Sequence, residues 1–262
     1  MKQMNSYFLN EKDFTKKIEK VFYFAKNQRL FFDKSTVMKA ELTRMFVDMM
    51  NLDVDENEII TASLIYSLKR LNGPIEIQRM QEEILKDRDF IKQLGFSERF
   101  SKYATQYSRI IEDETREKEG DILELIEQFG GMVLHRENRL AYSVEEALDL
   151  LKNKNLLGKE NAFLEDFLFF ADILENIKLS GGIGVLSKLR KEMNKINKFD
   201  ISAAIRIIYD LRDSLENTIY FRKTELFEEN VNYIDLIKKA NKKTIELFEY
   251  NRKTVFEQIK GD

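Results

Sequence analysis

The sequence predicts an all-α protein, and three features of the chain support this prediction. Among its 262 residues there are one Pro and ten Gly, so residues that interrupt helices are rare. Apolar residues recur at the spacing of a helix face along much of the chain. A capping-box pattern also stands ahead of one apolar run. We therefore expect a helical bundle, followed by additional C-terminal helices.

The first two predicted helices each carry one apolar face. In the first, the apolar residues fall at i, i+4, i+7, i+8 and i+11, namely Phe14, Ile18, Val21, Phe22 and Ala25. In the second, they are Leu42, Met45, Phe46 and Met49. Because this spacing places each set on one side of a helix, we expect both faces to contact the core.

The third predicted helix begins after Asp55, which forms a capping-box pattern with Glu58. It is apolar nearly all round through Ile65, as is typical of a central helix, so Leu64 and Ile65 are expected to be buried. The segment Asn72-Gly73-Pro74 is predicted to end it.

The C-terminal part of the chain is predicted to be a separate helical region. Three glycines cluster in residues 180–184, so we place a flexible joint there, between a domain of residues 1–179 and a region of residues 185–262. Residues 225–260 contain no Gly or Pro and would extend about 54 Å as one helix. Such a helix either packs across the first domain or pairs with a partner helix. The apolar residues of the two stripes beyond the joint are Ile201, Ile205, Ile208, Leu211, Leu215 and Ile219, then Ile237, Ala240, Leu247, Phe248, Val255 and Ile259.

Composition narrows the classes of function. The 43 Lys and Arg against 46 Asp and Glu leave a net charge of −3, so no overall field attracts nucleic acid or an anionic membrane. The absence of Cys excludes disulfides and thiol chemistry. The apolar stretch of residues 167–171 is too short to span a bilayer, and the N-terminus lacks the apolar core of a signal peptide. We therefore expect a cytoplasmic protein that binds neither nucleic acid nor membrane.

One segment has a specific pattern. Residues 122–151 read ILELIEQFGGMVLHRENRLAYSVEEALDLL. This segment resembles the end of HD-GYP domains, metal-dependent phosphodiesterases of cyclic di-GMP, in which an I-L-x-x-A-D-x-F-D-A helix precedes an S-D-R-P-Y-R-x-A-x-S-x-E-E-A-L loop and helix. The resemblance implies an HD-domain-like bundle for residues 1–179. The matching residues are Ile122, Leu123, Phe129, Arg136, Arg139, Ala141, Ser143 and Glu145 to Leu148.

The resemblance extends upstream, but the family's metal ligands are replaced. Residues 62–70 resemble the A-A-L-L-H-D-I-G-K helix, and residues 94–109 resemble the segment that leads to paired histidines. Glu127 replaces the metal-binding Asp of residues 122–151, and Gly130 replaces a second Asp. The other positions where the resemblance places metal ligands are occupied by Ser35, Tyr66, Ser67, Ile77, Tyr107 and Ser108.

The count of potential ligands argues against a metal centre. A site for borderline divalent ions needs several imidazoles, thiolates or carboxylates, and this chain has one His and no Cys. That residue, His135, stands in a predicted loop and is interpreted as a surface residue. Only Glu127 keeps a ligand side chain. We therefore expect no catalytic residues, no metal and no cofactor.

An HD-domain-like core that has lost its metal ligands is compatible with two functions. The first is a regulatory or scaffold protein that contacts a protein partner, or a second copy of itself, through the C-terminal helices. The second is a sensor that binds cyclic di-GMP or a related phosphate ligand without hydrolysing it. In the family, basic residues of this loop contact phosphate, so Arg136, Arg139 and Arg70 are the candidates. Alternatively, the loop arginines pair with Glu137, Glu145 or Glu146.

Overall fold

The computed structural model describes residues 4–69, 77–109, 111, 115–136, 139–155 and 161–224, except for the side chains of 77–79, 155 and 219–224. In these ranges the regular elements are all helices, which confirms the all-α prediction. Two isolated β-bridges are also present there. The helices are α1 (Met4–Leu9), α2 (Phe14–Asn27), α3 (Lys34–Met49), α4 (Glu56–Ile65), α5 (Ile77–Gln93), α6 (Glu98–Ala104), α7 (Lys118–Val133), α8 (Val144–Asn155), α9 (Leu164–Asn176), α10 (Val185–Lys195) and α11 (Ile201–Thr224).

Helix α3 is the centre of the core. It packs against α4, α7 and α9, and most of its side chains are buried, including several charged ones. On its α9 side, Phe46 contacts Phe167 and Phe170, with ring centroids 5.2 Å apart in both pairs. Phe129 of α7 completes this aromatic group, at 5.4 Å from Phe167. Charged groups on α3 are therefore enclosed by neighbouring helices and must find partners there.

The helices predicted from apolar spacing are confirmed. In α2, Ile18, Val21 and Ala25 are buried, and Asp13 caps the helix by accepting a hydrogen bond from the backbone N–H of Lys16. In α3, the predicted residues Leu42, Met45 and Phe46 are buried. The regular spacing of apolar residues was sufficient for these predictions, because one helix face meets the core.

Helix α4 begins as predicted and ends earlier. The Asp55 carboxylate accepts the backbone N–H of Glu58 at 2.8 Å, and Leu64 and Ile65 are buried. The helix ends at Ile65, and turns follow through Lys69, whereas the predicted end at 72–74 lies outside the described residues. Tyr66 is therefore the C-cap of α4, and its backbone N–H still donates to the carbonyl of Ala62.

The chain divides into two compact units, residues 1–211 and residues 212–262. In the first unit, Gly181 and Gly182 form a turn with φ of +85° and +72°, and α10 packs on α9 and α8 after it. The first unit also contains the start of α11, where Ile201, Ile208 and Leu211 of the predicted stripe are buried. The domain boundary at 180–184 stays a prediction.

The second unit is described over residues 212–224, which are helical. Residues 225–262, with the predicted long helix, lie outside the described residues. None of the helices in the described part combines the length and apolar character needed to cross a bilayer.

Candidate functional site

Three core elements bring together an ammonium, a phenol and a carboxylate. Lys39 lies on α3, Tyr66 directly after α4, and Glu127 on α7. Nζ of Lys39 lies 2.5 Å from Oε2 of Glu127 and 3.3 Å from the Tyr66 hydroxyl oxygen. The Tyr66 hydroxyl donates a hydrogen bond to the same Glu127 oxygen. The ring of Tyr107 lies 4.8 Å from that of Tyr66, and we name these four residues the Lys39 cluster.

The Lys39 cluster is largely shielded from water. The Lys39 side chain is 3% exposed, the Glu127 side chain is 12% exposed, and Tyr66 is buried. Water therefore screens the two charges weakly, so their attraction is stronger than that of a surface pair. The same burial makes each charge costly if it loses its partner. The cluster thus joins α3, α7 and the end of α4 through one charged contact.

Gly130 provides space for the Lys39 side chain. It lies three residues after Glu127, on the same side of α7. A Cβ atom at position 130 would be 2.9 Å from Cγ of Lys39, which is closer than side chains tolerate. The glycine at the second Asp position of the family pattern is therefore matched to the lysine that packs on it.

The residues of the Lys39 cluster do not fit a divalent metal. Glu127 is the one carboxylate among the four, and its Oε2 atom already accepts hydrogen bonds from Lys39 and Tyr66. In the described ranges no group of three His, Cys, Asp or Glu side chains could hold a metal ion. A metal at this carboxylate would also stand next to the Lys39 ammonium, a like charge in a buried setting.

The structure gathers some of the residues that the sequence analysis singled out, and disperses others. Tyr66, Tyr107 and Glu127 meet in the Lys39 cluster. Ser35, one turn before Lys39 on α3, donates its hydroxyl and backbone N–H to Asp33, at 2.5 and 2.9 Å. The remaining predicted positions are Ser67, which is buried, Ser108, which is half-buried, and Ile77, which begins α5 and whose side chain is outside the described part.

Arg139 stabilises the end of α7. Its guanidinium donates to the carbonyl oxygens of Gly131 at 2.5 Å and Met132 at 3.2 Å, and it lies 4.8 Å from the centroid of the Tyr142 ring. The last carbonyls of a helix have no partner within the helix, so this contact satisfies them. The expected pairing of Arg139 with Glu145 or Glu146 does not occur among the described residues.

Glu146 instead caps α8. Its carboxylate accepts the backbone N–H of Ser143 at 2.8 Å, and the Ser143 hydroxyl accepts the backbone N–H of Glu146 at 3.1 Å. Hydrogen bonds from Ser143 to the Glu146 carboxylate, the larger effect coming from its backbone N–H and the smaller from its side chain, hold the pKa of that carboxyl below its usual value. The S-x-x-E sequence is therefore a capping box. Arg70 and Glu137 lie outside the described residues.

The two remaining candidates, Arg136 and His135, lie in the segment between α7 and α8. Arg136 is exposed, and its backbone forms a bridge with Arg139. His135 is exposed as expected, and its Nδ1 atom accepts the backbone N–H of Ala141 at 3.0 Å. The backbone N–H of His135 donates to Asn194 at 2.7 Å, which fixes the loop against α10. His135 therefore links the end of α7 to Ala141 and to α10.

A second charged network, which the sequence analysis did not identify, lies nearer the N-terminal end of α7. Arg109 contacts both carboxylate oxygens of Glu124, at 2.9 and 3.0 Å, and Arg116 contacts Asp121 at 2.5 Å and Glu124 at 3.1 Å. Asn161 donates to Glu124 at 2.9 Å. Two guanidinium groups face two carboxylates here, so the charges balance and the network fastens the segment before α7.

Lys39 was not identified as a site residue from the sequence either, although its position in the sequence indicates that it is buried. The apolar stripe of α3 runs through Leu42 and Phe46, and Lys39 lies three and seven residues before these two. That position belongs to the buried face of the helix. A lysine at a core position requires a buried partner, which a search for lost ligands does not include.

No protein-family model, curated protein or solved structure matches this chain. The resemblance to HD-GYP domains therefore rests on residues of the chain itself. Three of the positions that carry it, Tyr66, Tyr107 and Glu127, lie side by side although they are far apart in sequence. Membership of that family is a proposal.

Proposed function

We propose that this protein is a catalytically inactive relative of HD-GYP domains that acts as a regulatory or scaffold module through protein–protein contacts. The observation that supports this most directly is the contact of 2.5 Å between Lys39 and Glu127. At the one position of the motif that keeps a ligand side chain, the carboxylate binds an internal ammonium. A divalent ion and this ammonium would compete for the same oxygen.

The Lys39 cluster also explains how such a core stays together without a metal. In a metal-dependent bundle the ion crosslinks the helices that supply its ligands. In this chain the ammonium neutralises Glu127 and links α3 to α7, and Tyr66 adds the end of α4. The helical body is therefore retained as a rigid support for contact surfaces, which is the requirement for a scaffold.

The alternative proposal is a sensor that binds cyclic di-GMP without hydrolysing it, through Arg136 and Arg139. The contacts of Arg139 count against it. To bind phosphate, its guanidinium would have to leave the carbonyls of Gly131 and Met132, and these would lose their hydrogen bonds. The scaffold proposal needs no such rearrangement.

The scaffold proposal is tested on the purified full chain after dialysis. We expect no stoichiometric Fe, Mn or Zn by elemental analysis, and no hydrolysis of cyclic di-GMP with Mn²⁺ or Fe²⁺ added. An active HD-GYP enzyme in the same assay is the positive control. Stoichiometric metal or measurable hydrolysis would refute the proposal.

Calorimetry with cyclic di-GMP separates the scaffold from the sensor. The scaffold proposal expects no binding to the wild-type protein. Binding at micromolar concentration that is lost in the double variant Arg136→Ala/Arg139→Ala would replace the scaffold by the sensor. Light scattering on the full chain separates the two kinds of partner: the mass of a dimer would indicate a second copy of the chain, and the mass of a monomer a different protein.

A further inference from the structure

A cleft of about 540 Å³ opens on a face of the first unit that the Lys39 cluster does not reach. Its walls come from the end of α2, the segment that joins α2 to α3, and Phe199, which precedes α11. Four phenylalanine rings line it, and Phe199 is 61% exposed. A large apolar ring left in water beside an apolar wall is typical of a contact surface.

The rings of the cleft are arranged in two pairs. Phe22 and Phe32 have centroids 5.7 Å apart, and Phe31 and Phe199 have centroids 6.4 Å apart at 76°. Phe32 is buried, so the first pair forms the floor, whereas Phe199 forms an exposed rim. An inserted apolar side chain would contact ring faces and edges on several sides, an arrangement that aromatic groups favour.

Three cations surround the rings. Lys26 and Arg29 line the cleft, and Nζ of Lys198 lies 5.3 Å from the Phe31 centroid and 5.4 Å from the Phe199 centroid. In the part of the chain that the structure describes, none of these three forms an ion pair with a carboxylate, and no carboxylate lines the cleft. The rim therefore carries positive charge that no described carboxylate pairs with.

The cleft is held in shape by backbone and side-chain hydrogen bonds. The backbone N–H of Phe31 donates to Leu68 at 2.7 Å, and that of Lys34 donates to Lys198 at 2.9 Å. The Lys34 ammonium donates to the carbonyls of Met193 and Ile196, both at 2.7 Å. These bonds fix the two walls relative to each other before any partner binds, which lowers the entropic cost of binding.

The shape and charge of the cleft indicate its occupant. Small-molecule sites bury most of their ligand, and a cleft whose rim ring is more than half exposed would leave a small molecule largely in water. A peptide can instead insert one side chain and continue along the rim. We propose that this cleft binds an acidic segment of a partner protein, with one aromatic or large aliphatic side chain among the rings and carboxylates against Lys26, Arg29 and Lys198. This rests on the proposed function, because a scaffold requires a protein partner.

The chain contains no Trp, so the fluorescence of a Trp peptide reports binding without background from the protein. The probe is a short peptide with one Trp flanked on both sides by Asp and Glu. We expect a saturable blue shift of its emission on addition of the full chain, weakened by added salt. A peptide with Lys in place of the acidic residues should show no such shift. An acidic peptide with Ser in place of Trp, added in excess as a competitor, should not displace the Trp peptide.

Two variants locate the binding. Phe199→Ser removes the exposed ring, and Arg29→Gln with Lys198→Gln removes two charges of the rim. Each should weaken the acidic peptide about tenfold or more. The matched control is Lys12→Gln, an exposed cation ahead of the N-terminus of α2, which is the end of that helix farther from Lys26 and Arg29. It should leave binding unchanged.

The proposal is overturned if the acidic peptide does not bind, if all three variants weaken it equally, or if a single-stranded oligonucleotide binds in its place. These results are distinct from a failure of the proposed function. If the protein neither hydrolyses cyclic di-GMP nor binds the peptide, only the peptide-binding proposal fails. If it hydrolyses cyclic di-GMP, the proposed function fails whether or not the peptide binds.

Discussion

The Lys39 ammonium lies 2.5 Å from Oε2 of Glu127, and this contact spans 88 residues of chain between α3 and α7. Both side chains are largely buried, so each has lost most of its hydration. The attraction between the charges offsets that loss only while both are present. Removal of one partner is therefore expected to destabilise the protein much more than removal of both.

Replacement of Lys39 by Met should lower the free energy of unfolding by about 3–5 kcal/mol, because Glu127 is left as an uncompensated buried charge. Urea titration measures the change. The double variant Lys39→Met/Glu127→Leu removes both charges and should recover most of the loss. If the double variant is less stable than Lys39→Met alone, the ion pair is not the cause.

Gly130→Ala should destabilise the wild-type protein by about 1–3 kcal/mol, since its Cβ would press on Cγ of Lys39. The control is the same change in Lys39→Ala, where Cγ is absent. In that background Gly130→Ala should raise the free energy of unfolding by about 1 kcal/mol, because Ala has a higher helix propensity than Gly. The same sign in both backgrounds would contradict the contact.

The sequence could predict helices and their buried faces because that information is local. Ile18, Val21 and Ala25 needed only their own spacing. Tyr66, Tyr107 and Glu127 could be grouped only through the spacing of a known motif, since nothing local relates them. Lys39 was not predicted because its partner is distant in the chain and is reached only after α3 packs on α7.

Leu64→Ala should cost about 2–5 kcal/mol, because Leu64 has no exposed surface in the core and its truncation leaves a cavity. Leu140, which is 80% exposed, offers the matched control. Leu140→Ala should change the free energy of unfolding by less than about 0.5 kcal/mol. Equal effects of the two changes on thermal unfolding would mean that the centre of the core is wrongly assigned.

Arg139→Ala should lower the free energy of unfolding by about 1–3 kcal/mol, because the carbonyls of Gly131 and Met132 lose a charged donor. Glu145→Ala is the discriminating control. If Arg139 acted through a carboxylate of α8, the Glu145 change would produce a comparable loss. We expect it to have a much smaller effect in chemical denaturation.

The partner of Arg139 could not be chosen from the sequence. The carbonyls of α7 and the carboxylates of α8 both lie within a few residues of it, and an arginine can donate to either. The choice depends on where α7 ends and on the capping box between Ser143 and Glu146, which occupies the Glu146 carboxylate. Such competition between acceptors is settled by the loop conformation.

Lys17 is a buried ammonium whose three partners are uncharged. It is 2% exposed and donates to the Phe8 carbonyl at 3.1 Å, the Asn57 side chain at 2.5 Å and the Thr61 hydroxyl at 3.0 Å. It thereby joins α1, α2 and α4. Burial, which penalises the charged form, lowers the pKa of Lys17 from 10.5 to about 8.

The lowered pKa of Lys17 predicts a specific dependence of stability on pH. Between about pH 8 and pH 10.5 the unfolded chain keeps the proton that the folded protein has released, so the free energy of unfolding rises with pH. Relative to Lys17→Met, which has no titrating group there, the wild type should gain about 1–2 kcal/mol from about pH 7 to pH 9.5. Burial raises the pKa of Tyr103, which has the opposite effect at higher pH, but this contribution is common to both proteins and cancels in the difference. Urea titrations at several pH values measure that difference, and a constant or falling value would show that Lys17 remains protonated in the folded protein.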